Sequence, residues 1–118
     1  MIRYMLKSKI HRATVTGVHL DYEGSLAIDG ELMAAADILP YEQVHVYNIT
    51  NGERFETYAI ESPAGSGTVE LRGAAAKKGD LGDLIIVACF TAIEDKDLQG
   101  FAPRVVCLNK MNRIKEEK

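Results

Sequence analysis

The sequence predicts a single all-β domain, a barrel or sandwich that carries one small helical insertion. Three observations support this prediction. Polar and apolar residues alternate with a period of two in several short segments, turn-forming residues separate these segments, and no internal repeat is present. The length of 118 residues fits one domain. We expect this domain to span residues 1–108 and a charged, flexible tail to follow over residues 109–118.

The first predicted strand covers residues 3–12 and has two unlike faces. One face is largely apolar, and the other carries Lys7, Lys9 and His11. Cations on an edge strand are commonly solvated and discourage pairing between sheets. The alternative is a subsite for a carboxylate or phosphate group, and the pattern alone leaves both interpretations open.

A turn and a short helix are predicted next. Residues 15–22 form a β-branched segment that leads into a turn at Tyr22-Glu23-Gly24-Ser25. Asp29 is the expected N-cap of a helix that stops before Pro40. This helix is the only substantial helical element that the sequence predicts.

The second half of the chain is predicted to consist of strands and loops. Strands are expected at residues 43–50, 54–60, 68–72, 84–92 and 104–108. The dipeptide Asn51-Gly52 predicts a two-residue hairpin turn between the first two of them. Residues 84–92 are almost entirely apolar, which is typical of a strand buried on both faces.

Composition argues against several classes of function. Seventeen acidic and 14 basic residues give a net charge of -3, which offers no electrostatic reason to bind nucleic acid or an anionic membrane. No apolar run is long enough to span a membrane and the N-terminus has no signal-peptide layout, so we expect a cytoplasmic protein. The histidines lack zinc-ligand spacing, and no metal is predicted. Cys89 and Cys107 lie in apolar stretches and are expected to be buried thiols.

Besides the Lys7, Lys9 and His11 face, two further groups of residues could carry chemistry. A Gly-Ser pair such as Gly24-Ser25 is usually a plain turn, but Gly24 also leaves the Ser25 hydroxyl unhindered access to the preceding carbonyl. On the predicted strand 54–60, Arg54 and Tyr58 share one face and could reach one small ligand together. Taken singly, each group favours the purely structural explanation.

Taken together, these residues resemble the pyruvoyl-dependent aspartate 1-decarboxylase family. The resemblance extends to about residue 108 and rests on four stretches that occur in the family's order and spacing. They are residues 1–12, Tyr22 to Ser25, residues 50–60, and Gly73-Ala74-Ala75-Ala76 with Gly82-Asp83. The resemblance implies a double-psi β-barrel with short helices, assembled as a homotetramer with sites at subunit interfaces.

The resemblance also implies an inactive proenzyme that cuts itself between Gly24 and Ser25. In the family, the serine hydroxyl attacks the preceding carbonyl, and Thr57 matches the residue that helps to hold that carbonyl. Elimination and hydrolysis then leave a pyruvoyl cofactor derived from Ser25. The implied products are a β chain of residues 1–24 and an α chain of residues 25–118.

The implied reaction is the decarboxylation of L-aspartate to β-alanine and CO2, for pantothenate and coenzyme A biosynthesis. The substrate amine forms a Schiff base with the pyruvoyl ketone, which accepts the electrons of the lost carboxylate. Tyr58 matches the family's proton donor. The family's substrate-binding positions are matched by Lys9, Arg54, Thr57, Gly73, Ala74 and Ala75.

Two positions depart from the family's pattern. Arg72 replaces the usual Asn and adds a fixed charge near an anionic substrate, and Asp21 stands where His is common. These departures keep a second hypothesis open. It is a catalytically silent double-psi barrel that acts as a small-molecule binding or assembly module.

Overall fold

The computed structural model describes residues 1–118 as one continuous, mostly β chain. Its one α-helix is α1 (Gly30–Ala35), and two 3-10 helices cover Gly73–Lys78 and Asp95–Asp97. The nine strands are β1 (Ile2–Thr14), β2 (Gly17–His19), β3 (Ser25–Asp29), β4 (Gln43–Asn48), β5 (Arg54–Ser62), β6 (Val69–Arg72), β7 (Leu84–Glu94), β8 (Arg104–Leu108) and β9 (Ile114–Glu117). The all-β prediction is therefore confirmed.

The strands form one sheet in the order β2-β6-β3-β5-β4-β7-β1-β8-β9. Three pairs are parallel, namely β1 with β8, β2 with β6 and β3 with β5, and the others are antiparallel. One cluster of 20 buried residues, mostly aliphatic, fills the interior. This mixed sheet around a single core is compatible with the double-psi β-barrel that the resemblance implies.

Strand β7 lies between β4 and β1, as its apolar sequence predicts. Burial on both faces, however, is limited to Val87, Ala88 and Cys89. Beyond Cys89 the strand alternates between exposed and half-buried residues, because it outruns the end of β4 and pairs only with β1. The prediction of a strand buried on both faces therefore holds only for its centre.

Asp29 is the N-cap of α1, as predicted, and it does more than cap the helix. Its buried carboxylate accepts hydrogen bonds from the backbone N–H groups of Glu31 at 2.8 Å, Gly65 at 2.9 Å and Gly67 at 2.8 Å. The cap therefore ties the loop before β6 to the end of β3. No helix of the chain has the length and apolar character needed to cross a membrane.

The predicted hairpin between β4 and β5 is present, but its turn is longer than two residues. The backbone N–H of Asn48 donates to the Glu53 carbonyl at 2.8 Å, which leaves residues 49–52 as the loop. The cause is the buried Asn48 side chain, whose oxygen accepts from the N–H groups of Thr50 and Asn51. The loop wraps around this amide, and Gly52 closes it with a φ of +80°.

Regular structure extends past the predicted domain boundary at residue 108. Residues 114–117 form β9, which pairs with the outer edge of β8, and Ile114 packs against the core. The buried side chain of Asn112 also donates to the Thr14 and Gly67 carbonyls at 2.9 Å and 2.8 Å. Charged residues hide this strand from pattern analysis, and residues 112–117 make these contacts where the sequence predicts only a charged, flexible tail.

Both cysteines are buried and unpaired, as the sequence predicts. Burial is the largest cause that raises the pKa of the Cys89 thiol, to about 11, and the nearby Glu42 carboxylate adds to it. Cys89 therefore stays protonated at neutral pH and behaves as a small core residue.

Candidate active site

Ser25 is the first residue of β3, and its surroundings are unusually closed for a residue at a turn. Strand β3 lies between β5 and β6, with Leu26 opposite Ala59 and Ser25 opposite Arg72. The residue is 1% exposed, and its hydroxyl donates to the Glu23 carbonyl at 3.3 Å. The Gly24–Ser25 bond is thus at the edge of the core rather than in a free surface loop.

Gly73 packs directly against the backbone of Gly24. It opens the 3-10 helix with a φ of +65°, a conformation that favours glycine. A Cβ at this position would collide with the Gly24 nitrogen, and it would lie 2.5 Å from Gly24 Cα and 2.7 Å from the Tyr22 carbonyl oxygen. Only glycine therefore permits this approach.

Two clefts flank the Gly24–Ser25 bond. The first, the Gly24 cleft, has a volume of about 310 Å³ and is lined by Gly24, Phe55, Glu56, Thr57, Ala74, Ala75 and Lys78. The second, the Ser25 cleft, has a volume of about 410 Å³ and is lined by Tyr22, Glu23, Ser25, Tyr41, Tyr58, Ile60 and Arg72. The two residues of the expected scissile bond thus face different clefts.

Thr57 and Tyr58 are separated in the same way. They are consecutive residues of β5, so their side chains project from opposite faces of the strand. Thr57 lines the Gly24 cleft and Tyr58 lines the Ser25 cleft. The structure therefore brings Gly24, Ser25, Thr57, Tyr58 and the Gly73–Ala75 segment together, as a set on two sides of one peptide bond.

Lys9 and Arg54 are not part of this set within one chain. Lys9 lies in the middle of β1, opposite Ala88 and Val105, and lines neither cleft. Arg54 begins β5, and its guanidinium carbon lies 4.1 Å from the centroid of the Tyr47 ring. Arg54 and Tyr58 share a face of β5, with a rise of about 13 Å along the strand between their Cα atoms, but only Tyr58 lines the Ser25 cleft.

Comparison with known proteins identifies the family. A family model described as "Aspartate decarboxylase" matches residues 1–115. The chain belongs to the aspartate decarboxylase family. The match spans both clefts and nearly the whole sheet.

Curated relatives agree with this family assignment. A protein of Desulfotalea psychrophila named aspartate 1-decarboxylase is 52% identical over 116 residues, which cover 98% of each chain. One of Syntrophobacter fumaroxidans with the same name is 58% identical over 113 residues, or 96% of this chain and 91% of the relative. A third, from Dehalococcoides mccartyi, is 54% identical over 97% of this chain and 92% of its own length. Neither the family model nor these relatives favour the alternative of a catalytically silent double-psi barrel.

Arg72, where the decarboxylase family usually has Asn, lies in the Ser25 cleft. Its Nη2 and Nε donate to Glu70 Oε1 at 2.7 Å and 3.1 Å, and its guanidinium carbon lies 5.1 Å from the Tyr22 ring centroid. The Tyr22 ring that Arg72 contacts also stacks on the His19 ring, with ring centroids 4.9 Å apart. The added charge is therefore partly neutralised and held in place.

Arg72 and Tyr41 both line the Ser25 cleft, and the sequence signals only the first of them. Arg72 lies two residues after Glu70 on a predicted strand, a spacing that places the two on one face. Tyr41 follows Pro40 in the loop after α1 and has a φ of +72°. Its ring lies 6.5 Å from that of Tyr58, and no local pattern indicates this long-range contact.

Replacement of Gly73 by alanine should destabilise the chain, whereas the same change at Gly24 should not. A left-handed alanine costs about 1–2 kcal/mol, and the added Cβ must also displace the Gly24 backbone. A Cβ on Gly24 would lie 3.6 Å from the Ala74 nitrogen, which is ordinary contact. Both variants should be made in a Ser25→Ala background, which keeps the chains uncut, and their thermal unfolding temperatures should be compared. Equal unfolding temperatures for Gly73→Ala and its parent would contradict this account.

Proposed function

We propose that this chain is a self-processing, pyruvoyl-dependent aspartate 1-decarboxylase that converts L-aspartate to β-alanine and CO2. It would serve pantothenate and coenzyme A biosynthesis in the cytoplasm. The observation that best supports the proposal is the buried Ser25 hydroxyl beside Gly24, between two clefts lined by Thr57 and Tyr58. The relatives named aspartate 1-decarboxylase support the same substrate.

Self-processing would need only the chain and one water molecule. The Ser25 hydroxyl turns from the Glu23 carbonyl and adds to the Gly24 carbonyl carbon, the Gly24–Ser25 C–N bond breaks, and an ester replaces the amide. Loss of the Ser25 Cα proton then expels the Gly24 carboxylate from Cβ and leaves dehydroalanine. Water converts this residue to a pyruvoyl group and ammonia. Residues 1–24 and 25–118 become separate chains.

The lining of the Gly24 cleft supports the assignment of a hydroxyl donor for this first step. Attack on the Gly24 carbonyl develops negative charge on its oxygen, and a hydroxyl donor held nearby lowers the barrier. Thr57 lines the cleft on the Gly24 side and is the residue we assign to that role. Gly73 holds the segment in place, since its backbone leaves no room for Gly24 to move towards it.

The surroundings of Ser25 also suit a pyruvoyl group formed from it. Ser25 is 1% exposed yet lines a cleft of about 410 Å³, so a ketone there would be shielded from bulk water and open to a small substrate. Once formed, the group supplies an electron sink for the loss of CO2. Tyr58 in the same cleft is the residue we assign to protonate the former α-carbon.

Substrate binding would be shared between subunits. Lys9 and Arg54 line neither cleft of their own chain, although they match the family's carboxylate-binding positions. We therefore propose a homotetramer in which a neighbour completes each site with these cations, while Ala74 and Ala75 let the substrate approach the main chain. A bidentate guanidinium contact suits a carboxylate, and firm pairing at the β-carboxylate would leave the α-carboxylate free to depart.

Intact mass tests the cleavage. Purified protein should separate into residues 1–24 and a pyruvoyl-started chain of residues 25–118, and it should form β-alanine. Ser25→Ala should stay one chain and form none, whereas Ser66→Ala, a serine in an exposed loop, should be cut normally. Appreciable β-alanine from Ser25→Ala would contradict the mechanism.

Thr57 and Tyr58 should separate processing from turnover. Thr57→Val removes the donor on the Gly24 side and should slow cleavage, as measured by the time course of intact mass. Tyr58→Phe should be cut at the normal rate but lose about 10²-fold or more in kcat, because it removes the general acid. Slow cleavage and normal turnover in Tyr58→Phe would reverse the assignment.

If each active site is shared between two subunits, two different inactive variants should restore activity when they assemble together. Ser25→Ala chains lack the cofactor, and Arg54→Ala chains lack the carboxylate ligand, so each homotetramer should be inactive. Co-expression should restore about a quarter of the wild-type activity per site if Arg54 acts across an interface. Native mass spectrometry would verify mixed tetramers. Mixed tetramers without activity would place Arg54 in its own chain's site and refute subunit sharing.

A further inference from the structure

The largest cavity of the chain lies apart from the proposed active site. Its volume is about 530 Å³, and it shares no lining residue with the Gly24 cleft or the Ser25 cleft. Leu84 and Leu108 supply its apolar wall, and three cations, Arg12, Lys110 and Lys115, line the rest together with small and polar residues. We call it the basic cavity.

The three cations of the basic cavity have no anionic partner. No carboxylate lines the cavity, and none of the three side chains forms an ion pair or a hydrogen bond within the chain. Elsewhere pairing is common, for example between Lys7 and Glu42 at 2.6 Å. Three unpaired cations thus converge in a chain of net charge -3; their side chains are exposed, so solvent screens part of their mutual repulsion, and a bound anion would relieve the remainder.

Two β-bulges place cations at this cavity. His11 and Ala13 pair with consecutive residues of β7, so Arg12 is an extra residue, with a φ of +66°. Cys107 and Leu108 pair with Glu116 and Ile114, so Lys115 is likewise extra. A bulge redirects the side chain of its extra residue, and a positive φ outside glycine carries a cost that functional sites often bear.

The turn that carries Lys110 is held rigidly. The Asn109 side-chain oxygen accepts from the backbone N–H groups of Met111 at 2.9 Å and Arg113 at 3.0 Å. The buried Asn112 amide donates to the Thr14 carbonyl at 2.9 Å and accepts from the Thr14 N–H at 2.8 Å. The cavity is thus built from strands and a pinned turn, which lowers the entropic cost of binding.

The positive field of this region reaches a neighbouring titratable group. The pKa of His11 is lowered, first by burial and then by the charges of Lys9, Arg12, Lys118 and Lys115. Glu116 and Glu117 follow Lys115 on β9 and are exposed, as Lys115 is, but neither glutamate lines the cavity. The cations therefore act together on the space they face.

We propose that the basic cavity binds a small molecule that bears a diphosphate group. Three cations can neutralise the two or three charges of a diphosphate, and the Arg12 guanidinium can contact two oxygens at once. The leucine wall can pack against an attached organic group, and the volume lies in the range typical of such ligands. Because none of these residues belongs to the proposed active site, the inference does not depend on the proposed function.

Isothermal titration calorimetry of the full-length protein tests the proposal, with inorganic pyrophosphate, ADP and inorganic phosphate as probes. Pyrophosphate and ADP should each bind more tightly than phosphate, with affinities that fall as salt rises from 50 to about 200 mM, because screening weakens exposed charge pairs. Absence of binding, or ADP affinity no greater than that of phosphate, would overturn the proposal.

Matched variants then locate the site. Lys115→Gln should weaken pyrophosphate binding by about tenfold, the loss typical of a charged hydrogen bond. Lys96→Gln, an exposed and unpaired lysine outside the cavity, and Arg54→Gln, in the proposed active site, should leave the affinity unchanged. If Lys96→Gln loses as much affinity as Lys115→Gln, the protein attracts the anion only through its overall charge. If only Arg54→Gln loses affinity, the anion binds in the proposed active site. Either result refutes the proposal that the basic cavity binds a diphosphate.

Discussion

The packing of the Gly73 backbone against Gly24 is the contact on which the rest of the candidate site depends. It requires a left-handed glycine at the point where β6 ends and the 3-10 helix begins. From that point, β6 pairs with β3 and sets Arg72 opposite Ser25, while the 3-10 helix brings Ala74 and Ala75 into the Gly24 cleft. The Gly24–Ser25 segment is thereby held at the edge of the core, where its peptide bond is enclosed on both sides.

Strand β5 creates a different chemical environment on each side of the Gly24–Ser25 bond. Its parallel pairing with β3 places Thr57 and Tyr58 beside the Gly24–Ser25 bond, and the alternation of a strand sends them to opposite sides. Under the proposed function, the donor for cofactor formation, Thr57, and the proton donor for turnover, Tyr58, therefore stand on opposite sides of this bond. Lys9 and Arg54 line neither cleft, and the cations that do, Lys78 and Arg72, pair with Glu53 and Glu70 respectively. Under the proposed function, a second subunit would supply the cations that these clefts need to bind a dicarboxylate.

Several features of the fold could be read from the sequence and others could not. Alternation and turn residues predicted the strands, and Asp29 predicted the start of α1, because these signals act over a few residues. The hairpin loop was misjudged because the buried Asn48 side chain, not the Asn51-Gly52 dipeptide, organises it. Strand β9 was missed because charged residues dominate it, and its partner β8 supplies the reason it forms. Arg54 and Tyr58 share a face of β5, as the alternation predicts, but only Tyr58 lines the Ser25 cleft, which the alternation does not reveal.

By itself, the sequence determined the all-β class, the local elements and, through motifs in the right order, the family and the residues to suspect. These properties depend on short-range conformational preferences and on residues shared with the family, and both can be recognised from short stretches of sequence. Only the tertiary structure decided which of those residues meet. The closeness of Gly73 to Gly24, the division of Thr57 and Tyr58 between two clefts, and the convergence of Arg12, Lys110 and Lys115 all arise from pairings between segments distant in sequence. Such pairings are set by the packing of the whole sheet, which no single stretch of the chain encodes.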